Sequence, residues 1–213
     1  MALQYNDFFK IVVSGDSGVG KSCLISRYIH KEFPETSFPT IGLDFAMITE
    51  KIDSRDVDFQ IWDTAGQEKM KSVSTAYYRS SVGAVLVFDI TNRASFDNLV
   101  DWITEIMEFV EEGKMSMILI GNKLDLESDR IVSQQLAVDF AKEHQLFYME
   151  VSAKEDPFNK VEEAIRVLLN EIVRKHKSEK KEENPTGIGE VGSLTRLDSP
   201  VKIQTKHKSS CCK

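Results

Sequence analysis

A short glycine-rich segment that ends in a lysine and a serine is the first part of the sequence that could do chemistry. Residues 15–22 read GDSGVGKS and fit the pattern G-x-x-x-x-G-K-[ST], after a strand-like run and before a helix-like one. Glycines let successive backbone N–H groups turn inward around an anion, and the helix N-terminus adds partial positive charge. Lys21 would contact the β- and γ-phosphates, and the Ser22 hydroxyl would bind Mg²⁺. The segment therefore predicts a site for a nucleoside phosphate.

Two further motifs follow strand-like runs and favour guanine as the base. The segment NKLD, residues 122–125, follows the fifth predicted strand, at the edge where open α/β sheets bind ligands. Asp125 can accept two parallel hydrogen bonds from guanine, whereas adenine offers an acceptor and no amino group there. Residues 152–154, SAK, follow the sixth strand and could donate a backbone N–H to guanine O6. A polar turn alone could also produce NKLD, but its order after the phosphate loop strengthens the interpretation.

The segment WDTAGQ, residues 62–67, closes the third predicted strand and offers groups that act near a γ-phosphate. Asp63 can hold Mg²⁺ through water. Gly66 can approach the phosphate closely because it has no side chain, and Gln67 can orient a water molecule for in-line attack.

The alternation of apolar runs predicts an α/β fold around these motifs. Strand-like and helix-like segments alternate, which indicates a six-stranded, mainly parallel sheet with one antiparallel edge strand and five helices. A hairpin turn is expected at Asp53, N-caps at Asn92 and Ser133, and a first helical turn at Pro157. The predicted strands are 8–14, 43–52, 57–62, 83–90, 115–121 and 146–151. The first helical pattern follows the glycine-rich turn and ends at about residue 30, and the others cover 95–111, 133–144 and 158–175.

Composition and charge place limits on the class of protein. The chain has 213 residues, 41% hydrophobic and 29% charged, which is typical of a globular domain. Its three cysteines exclude a disulfide framework and favour a reducing compartment. The N-terminus lacks the apolar region of a signal peptide, and apolar runs are too short to span a bilayer, so we expect a cytoplasmic protein.

The sequence divides into a domain, residues 1–174, and a polar tail, residues 175–213. The formal charge of −7 is uneven: the tail carries +4 and the body −11. An acidic body argues against nucleic-acid binding, whereas a basic tail suits an anionic membrane surface. Gly and Pro interrupt the tail and large apolar residues are few, so we expect it to be disordered.

Taken together, these motifs resemble those of the Rab family of Ras-superfamily small GTPases. The similarity covers residues 7–174 and is carried by 41–45 (IGLDF), 60–62 (QIW), 77–79 (YYR) and 88–92 (FDITN). The resemblance implies a P-loop NTPase small G-domain that binds GTP or GDP with Mg²⁺ and hydrolyses GTP slowly. Such a protein is a switch that recruits effectors in its GTP state and regulates vesicle trafficking.

The resemblance also implies roles for individual residues. Phe33 would pack against the guanine ring, and Thr40 would contact Mg²⁺ and the γ-phosphate only in the GTP state. The implied catalytic residues are Lys21, Thr40 and Gln67, and the implied metal ligands are Ser22, Thr40 and Asp63. The other implied nucleotide contacts are Gly15, Asp16, Ser17, Gly18, Val19, Gly20, Cys23, Gly66, Asn122, Lys123, Asp125, Ser152, Ala153 and Lys154.

Three aromatic residues, Phe45, Trp62 and Tyr77, resemble the triad that Rab proteins present to effectors. Their pattern alone favours burial in the core, because aromatic side chains are mostly buried, whereas the resemblance implies partial exposure. The same resemblance places switch I at about residues 31–44 and switch II at about residues 64–80.

Cys211 and Cys212 stand one residue from the end of the chain. They do not fit the C-a-a-X rule, because the fourth residue from the end is Ser210. They resemble the doubly geranylgeranylated ends of Rab proteins, although two unmodified thiols would look the same. Two lipids would anchor the chain to the cytoplasmic face of intracellular membranes. The protein would cycle between these membranes and the cytosol.

The resemblance implies a monomer with several kinds of partner. These are a nucleotide exchange factor, a GTPase-activating protein, a GDP dissociation inhibitor, a prenylation escort protein and GTP-state effectors. Two alternatives stay open: a scaffold that holds GTP without useful hydrolysis, and a P-loop nucleoside kinase. Gln67 and Thr40 argue against the scaffold, and the segments 122–125 and 63–67 disfavour the kinase.

Overall fold

Six strands form one sheet in the computed structural model, which describes residues 8–34, 43–64, 78–111 and 113–183. The order across the sheet is β2-β3-β1-β4-β5-β6; β2 is antiparallel to β3, and the other neighbours are parallel. The predicted mainly parallel sheet with an antiparallel edge strand is thus confirmed. The strands are β1 (Phe8–Ser14), β2 (Leu43–Ile52), β3 (Arg55–Thr64), β4 (Ser81–Asp89), β5 (Ser116–Asn122) and β6 (Phe147–Glu150).

Five α-helices lie in the described part of the chain, as the sequence predicted. The predicted helix 95–111 is in fact two helices, because the chain turns at Asn98 between them. A 3₁₀-helix, Leu124–Asp129, follows β5. The α-helices are α1 (Lys21–His30), α2 (Arg93–Asp97), α3 (Leu99–Met107), α4 (Gln134–Glu143) and α5 (Lys160–Glu183).

The helix starts predicted at Asn92 and Ser133 are correct, and a side chain caps the backbone at each. The Asn92 side chain accepts hydrogen bonds from two N–H groups of α2, and the Ser133 hydroxyl accepts one from Leu136 of α4. The start predicted at Pro157 is wrong. The Asp156 carboxylate accepts hydrogen bonds from the N–H groups of Lys160 and Val161, so α5 begins later.

The central strands are apolar on both sides because helices cover both faces of the sheet. Ile11 and Val13 of β1 belong to the cluster that includes side chains of α1 and α5. Val12 of β1 and Leu86 of β4 belong to the other cluster, with residues of α2, α3 and α4. This two-sided cover leaves the carboxyl edge of the parallel strands to be lined by loops, where ligands bind in such sheets.

Helix α5 extends beyond the predicted end at Lys175, so the first nine residues of the expected tail, 175–183, are helical. Lys175 Nζ donates a hydrogen bond to Met115 O (2.9 Å), and the His176 ring stands edge-on to Phe9, with centroids 5.0 Å apart. Lys177 forms an exposed ion pair with Asp53 at the β2–β3 turn (2.7 Å). None of the helices in the described ranges is long and apolar enough to cross a bilayer.

We expect a chain ending at Arg174 to be less stable than one ending at Glu183. The shorter chain lacks the Lys175 hydrogen bond and the His176–Phe9 contact, which together should lower the free energy of unfolding by about 1–3 kcal/mol. Urea unfolding followed by circular dichroism measures the difference, with the full-length chain as control. Equal stability of the two truncated chains would contradict a structural role for residues 175–177.

Candidate functional site

The phosphate loop connects β1 to α1 and passes very close to neighbouring strands. Gly15 has φ 143°, and a Cβ there would lie 2.2 Å from the carbonyl oxygen of Val87 in β4. Gly20, the N-cap of α1, has φ 98°, and a Cβ there would lie 2.4 Å from Asn122 Nδ2. Only glycine fits both positions, so the loop can approach β4 and β5 while its N–H groups remain at the start of the helix.

Lys21 lies inside the phosphate loop rather than in solvent. The side chain is 6% exposed, and Nζ donates hydrogen bonds to the carbonyl oxygens of Gly15 and Asp16, each at 2.8 Å. Burial lowers the pKa of Lys21 to about 8, although the nearby charges of Asp63 and Asp16 act in the opposite direction. A cation held in this way suits an anionic ligand such as a phosphate.

Two of the three predicted metal ligands lie side by side. Ser22, in the first turn of α1, donates a hydrogen bond from Oγ to Oδ2 of Asp63, near the end of β3. Asp63 is only 7% exposed. A hydroxyl and a carboxylate next to a phosphate loop fit the oxygen ligands that Mg²⁺ prefers. The third predicted ligand, Thr40, lies outside the described residues.

Asn122 connects the phosphate loop to the turn 152–154. Its side chain is buried; Nδ2 donates to Val19 O (2.8 Å), and Oδ1 accepts from the N–H of Ala153 (3.1 Å). The carboxamide of the segment 122–125 thus joins two other segments predicted to bind nucleotide, the phosphate loop and the turn 152–154. The sequence singled out Asn122 as a nucleotide contact but did not indicate this role between segments.

The predicted base-reading carboxylate of Asp125 is held in place by the neighbouring turn. Ser152 Oγ donates to Asp125 Oδ1 (2.5 Å) and accepts a hydrogen bond from the N–H of Glu155 (2.8 Å). Asp125 lies in the 3₁₀-helix and is half-buried. The carboxylate therefore has a fixed orientation at the edge of the sheet.

Lys123 is also fixed at this edge. It has φ 70°, and its Nζ forms an ion pair with Asp89 Oδ2 (2.6 Å), at the end of β4. Burial raises the pKa of Asp89, but the ion pair with Lys123 and the hydrogen bonds from Thr91 outweigh it, so the net pKa lies below its usual value. Asp89 therefore stays ionised and holds the Lys123 stem in place.

The side chain of Asp16 contacts α2 and α3. Its carboxylate accepts hydrogen bonds from Asn98 Nδ2 and from Trp102 Nε1, both at 2.8 Å. A nucleotide contact by Asp16 would therefore come from its backbone. The carboxylate instead anchors the second residue of the phosphate loop to the start of α3.

Sequence reasoning missed Arg27. On α1, it donates from Nε to Ala153 O (2.8 Å), from Nη2 to Lys154 O (2.8 Å) and from Nη1 to Lys31 O (3.0 Å). Its acceptors are backbone carbonyls, which every residue carries, so no pattern of side chains could have indicated the contact.

Phe33 and Cys23 are two other predicted nucleotide contacts in the described part of the chain. Phe33 is 36% exposed, in the segment that follows α1. Cys23 is half-buried in the first turn of α1, and burial together with Asp63 raises the pKa of its thiol. Neither residue takes part in the hydrogen bonds that join the phosphate loop, residues 122–125 and residues 152–154.

Two of the predicted effector residues form a stacked pair. Phe45 of β2 is 52% exposed and stacks on half-buried Trp62 of the adjacent β3, with centroids 5.2 Å apart. The ammonium of Lys10 lies 4.7 Å from the centre of the Trp62 ring. The core burial that the pattern alone favoured does not hold for Phe45, whereas Trp62 is half-buried and packs against the core.

Several predicted residues cannot be placed in the site. The residues Thr40, Gly66, Gln67, Tyr77, Cys211 and Cys212 lie outside the described part of the chain. The same is true of residues 35–42 in switch I and 65–77 in switch II. The roles implied for these residues therefore stay predictions.

Comparison with known proteins identifies relatives along the whole chain. A model of the Ras family matches residues 10–174. The Ras-related protein Rab-13 of Rattus norvegicus is 38% identical over 213 residues, which is all of this chain and 98% of the relative. Human Ras-related protein Rab-8B is 40% identical over 209 residues (98% of this chain and 95% of the relative), and RABA1h of Arabidopsis thaliana is 39% identical over 210 residues, with the same coverage.

Proposed function

The chain belongs to the Rab branch of the Ras family of small GTPases, and from this premise we propose how its own residues bind and hydrolyse GTP. Its fold is a Ras-type G-domain. It binds guanine nucleotides, hydrolyses GTP and regulates vesicle trafficking. The observation that carries the proposed site is the buried carboxamide of Asn122, which joins the phosphate loop to the turn 152–154.

In the proposed site, guanine lies between Asp125 and the turn 152–154. The Asp125 carboxylate, oriented by Ser152, accepts hydrogen bonds from guanine N1–H and the N2 amino group. A backbone N–H of residues 152–154 donates to O6. Adenine would leave the half-buried Asp125 carboxylate facing an acceptor, which explains selection for guanine. Phe33 would pack against the ring from the segment after α1.

The phosphates would occupy the loop around Lys21, whose ammonium faces the β- and γ-phosphate oxygens. Ser22 and Asp63 would hold Mg²⁺, with Thr40 as a third ligand in the GTP state. When bound, the ion would neutralise negative charge on the β- and γ-phosphate oxygens. The direct hydrogen bond between Ser22 and Asp63 supports this assignment, because it brings the two oxygen ligands together beside the loop.

Hydrolysis would follow the in-line route of phosphoryl transfer. Gln67 orients a water molecule that attacks the γ-phosphorus, the bond to the β–γ bridging oxygen breaks, and GDP and inorganic phosphate leave. Neither the phosphate loop nor residues 31–44 contain an arginine, so the free chain has no arginine finger in these segments. Slow intrinsic turnover is therefore expected, with an activating protein needed for a fast reaction.

As a Rab, the chain works with exchange factors, activating proteins, a GDP dissociation inhibitor and effectors. We place effector contact at the stacked Phe45 and Trp62, with Tyr77 completing the surface. Residues 35–42 directly precede β2, and residues 65–77 directly follow β3. A change in these segments on loss of the γ-phosphate would therefore alter what is presented beside the aromatic pair.

We further propose that the residues after α5 are a membrane tether ending in two geranylgeranylated cysteines. As a flexible chain, the 30 residues after Glu183 would span roughly 27–33 Å. One lipid gives marginal membrane binding, so two are needed for stable anchoring, and Lys202, Lys206 and Lys208 would add attraction to anionic lipids. The chain would then act on the cytoplasmic face of intracellular membranes and cycle with the cytosol.

Replacing Gln67 with Leu should leave GTP affinity nearly unchanged and slow hydrolysis at least tenfold, because the attacking water loses its orienting group. Single-turnover hydrolysis, with and without a Rab-type activating protein, measures the effect. Gln135→Leu, an exposed glutamine on α4, is the matched control. An unchanged activated rate in Gln67→Leu would remove Gln67 from the mechanism.

Replacing Asp125 with Asn should reverse the choice of base. An amide donor would face guanine N1–H, so GTP affinity should fall by about 100-fold or more, while xanthosine triphosphate, with O2 in place of the amino group, should bind better. Competition binding measures both affinities. Asp129→Asn, in the same 3₁₀-helix, should retain the preference for GTP; if Asp125→Asn retains it too, Asp125 does not read the base.

Replacing one of Cys211 or Cys212 with Ser should leave one lipid and weak membrane binding, and replacing both should make the chain cytosolic. Fractionation and intact mass of the variants from a eukaryotic host measure this, with Cys23→Ser as a control that keeps both lipids. A double variant that stays on membranes, or a wild-type chain without added lipid mass, would disprove the anchor. Nucleotide affinity should not change in the tail variants.

A further inference from the structure

We propose that Arg27 is a positioning residue for guanine recognition, which holds the turn that reads O6 and the start of the Phe33 segment in fixed relation. The inference rests on the proposed function, in which an N–H of residues 152–154 donates to O6. Arg27 would act through the three backbone carbonyls to which its side chain donates.

The geometry of the guanidinium is suited to this task. Nε and Nη2 reach the carbonyl oxygens of two successive residues, Ala153 and Lys154, at 2.8 Å each. Nη1 reaches the carbonyl of Lys31 at 3.0 Å. A planar guanidinium presents these donors in a rigid fork, whereas a lysine offers one charged centre on a flexible stem. The three acceptors therefore take up positions defined by a single rigid group.

A hydrogen bond that fixes the C=O of one residue also fixes the N–H of the next residue. In a planar trans peptide the C=O of one residue and the N–H of the next point in opposite directions. The bond from Arg27 to Ala153 O therefore sets the direction of the Lys154 N–H. On either side, the Ala153 N–H is held by Asn122 and the Glu155 N–H by Ser152. Arg27 thus provides the orientation of the one amide between these two that neither side chain holds.

The third carbonyl belongs to the other wall of the proposed base site. Lys31 is the C-cap of α1, with φ 60°, and its N–H donates to the carbonyl oxygen of Arg27 (3.1 Å). Phe33 follows two residues later. Arg27 therefore holds Lys31 with both its side chain and its backbone, so that the segment leading to Phe33 starts at a fixed distance from the turn 152–154.

This arrangement predicts that loss of Arg27 affects one contact to guanine and not the others. Asp125 is held by Ser152 and does not depend on Arg27 for its orientation. Loss of Arg27 should therefore weaken recognition of O6 and leave recognition of the N2 amino group intact. Two analogues separate these contacts: 6-thio-GDP carries sulfur, a weaker acceptor, in place of O6, and IDP lacks the N2 amino group.

The experiment compares the affinities of GDP, 6-thio-GDP and IDP for the wild-type chain and its variants. In Arg27→Ala we expect GDP affinity to fall roughly three- to tenfold, with the preference for GDP over 6-thio-GDP largely lost. The preference for GDP over IDP should stay within about twofold of the wild type. Arg166→Ala, which removes an exposed arginine that pairs with Glu50 of β2, should change neither preference.

Arg27→Lys keeps the charge and most of the stem, and it carries the test if Arg27→Ala does not fold. It should also lose the preference for GDP over 6-thio-GDP, because one ammonium cannot reproduce the fork. An equal loss of affinity for all three nucleotides would assign Arg27 to stability alone and overturn the proposal. A wild-type chain that does not distinguish GDP from 6-thio-GDP would contradict the reading of O6 itself, and the proposal would fail with it.

Discussion

The buried carboxamide of Asn122 is the interaction on which the rest of the site depends. It stands at the end of β5, whose parallel pairing places it opposite Asp89 of β4, so its position is set by the sheet. From there it donates to Val19 O and accepts from Ala153 N–H. A side-chain amide offers a donor and an acceptor at fixed positions, whereas an aspartate would face the Val19 carbonyl with an acceptor. The phosphate loop and the base-reading turn therefore sit at a separation that one side chain fixes.

Strand ends and partly buried polar bonds also position the other loops of the site. Parallel strands bring their carboxyl ends to one edge, and each motif follows such an end, so residues far apart in sequence meet there. Side chains then tie the loops together: Asp16 binds α3, Arg27 binds the turn 152–154, and Lys123 binds Asp89. Each of these bonds has an ionised donor or acceptor, and such charge-assisted bonds are stronger than bonds between neutral groups.

Much of the fold was predictable because its signals are local. The apolar run of β1 and the alternation of β2 gave the observed bounds, 8–14 and 43–52. The division between α2 and α3 was not predictable, because Asn98 at the junction binds Asp16, 82 residues away. The end of α5 was missed for a different reason: residues 175–183 contain no apolar residue, so the periodic signal stops although lysine and glutamate continue a helix well. In the site, sequence predicted the motif segments but not Arg27, whose acceptors are common to every residue.

The contact between Asp16 and α3 has an optical consequence. The chain has two tryptophans, and the indole N–H of Trp102 donates directly to the second residue of the phosphate loop. The other, Trp62, stacks on Phe45 at the proposed effector surface. Indole emission responds to the charge and hydrogen bonding around the ring, so the protein carries two intrinsic fluorophores, one bonded to the phosphate loop and one in the proposed effector surface. Emission from Trp102 would report on the loop that holds phosphate. Emission from Trp62 would report on the face that a partner meets.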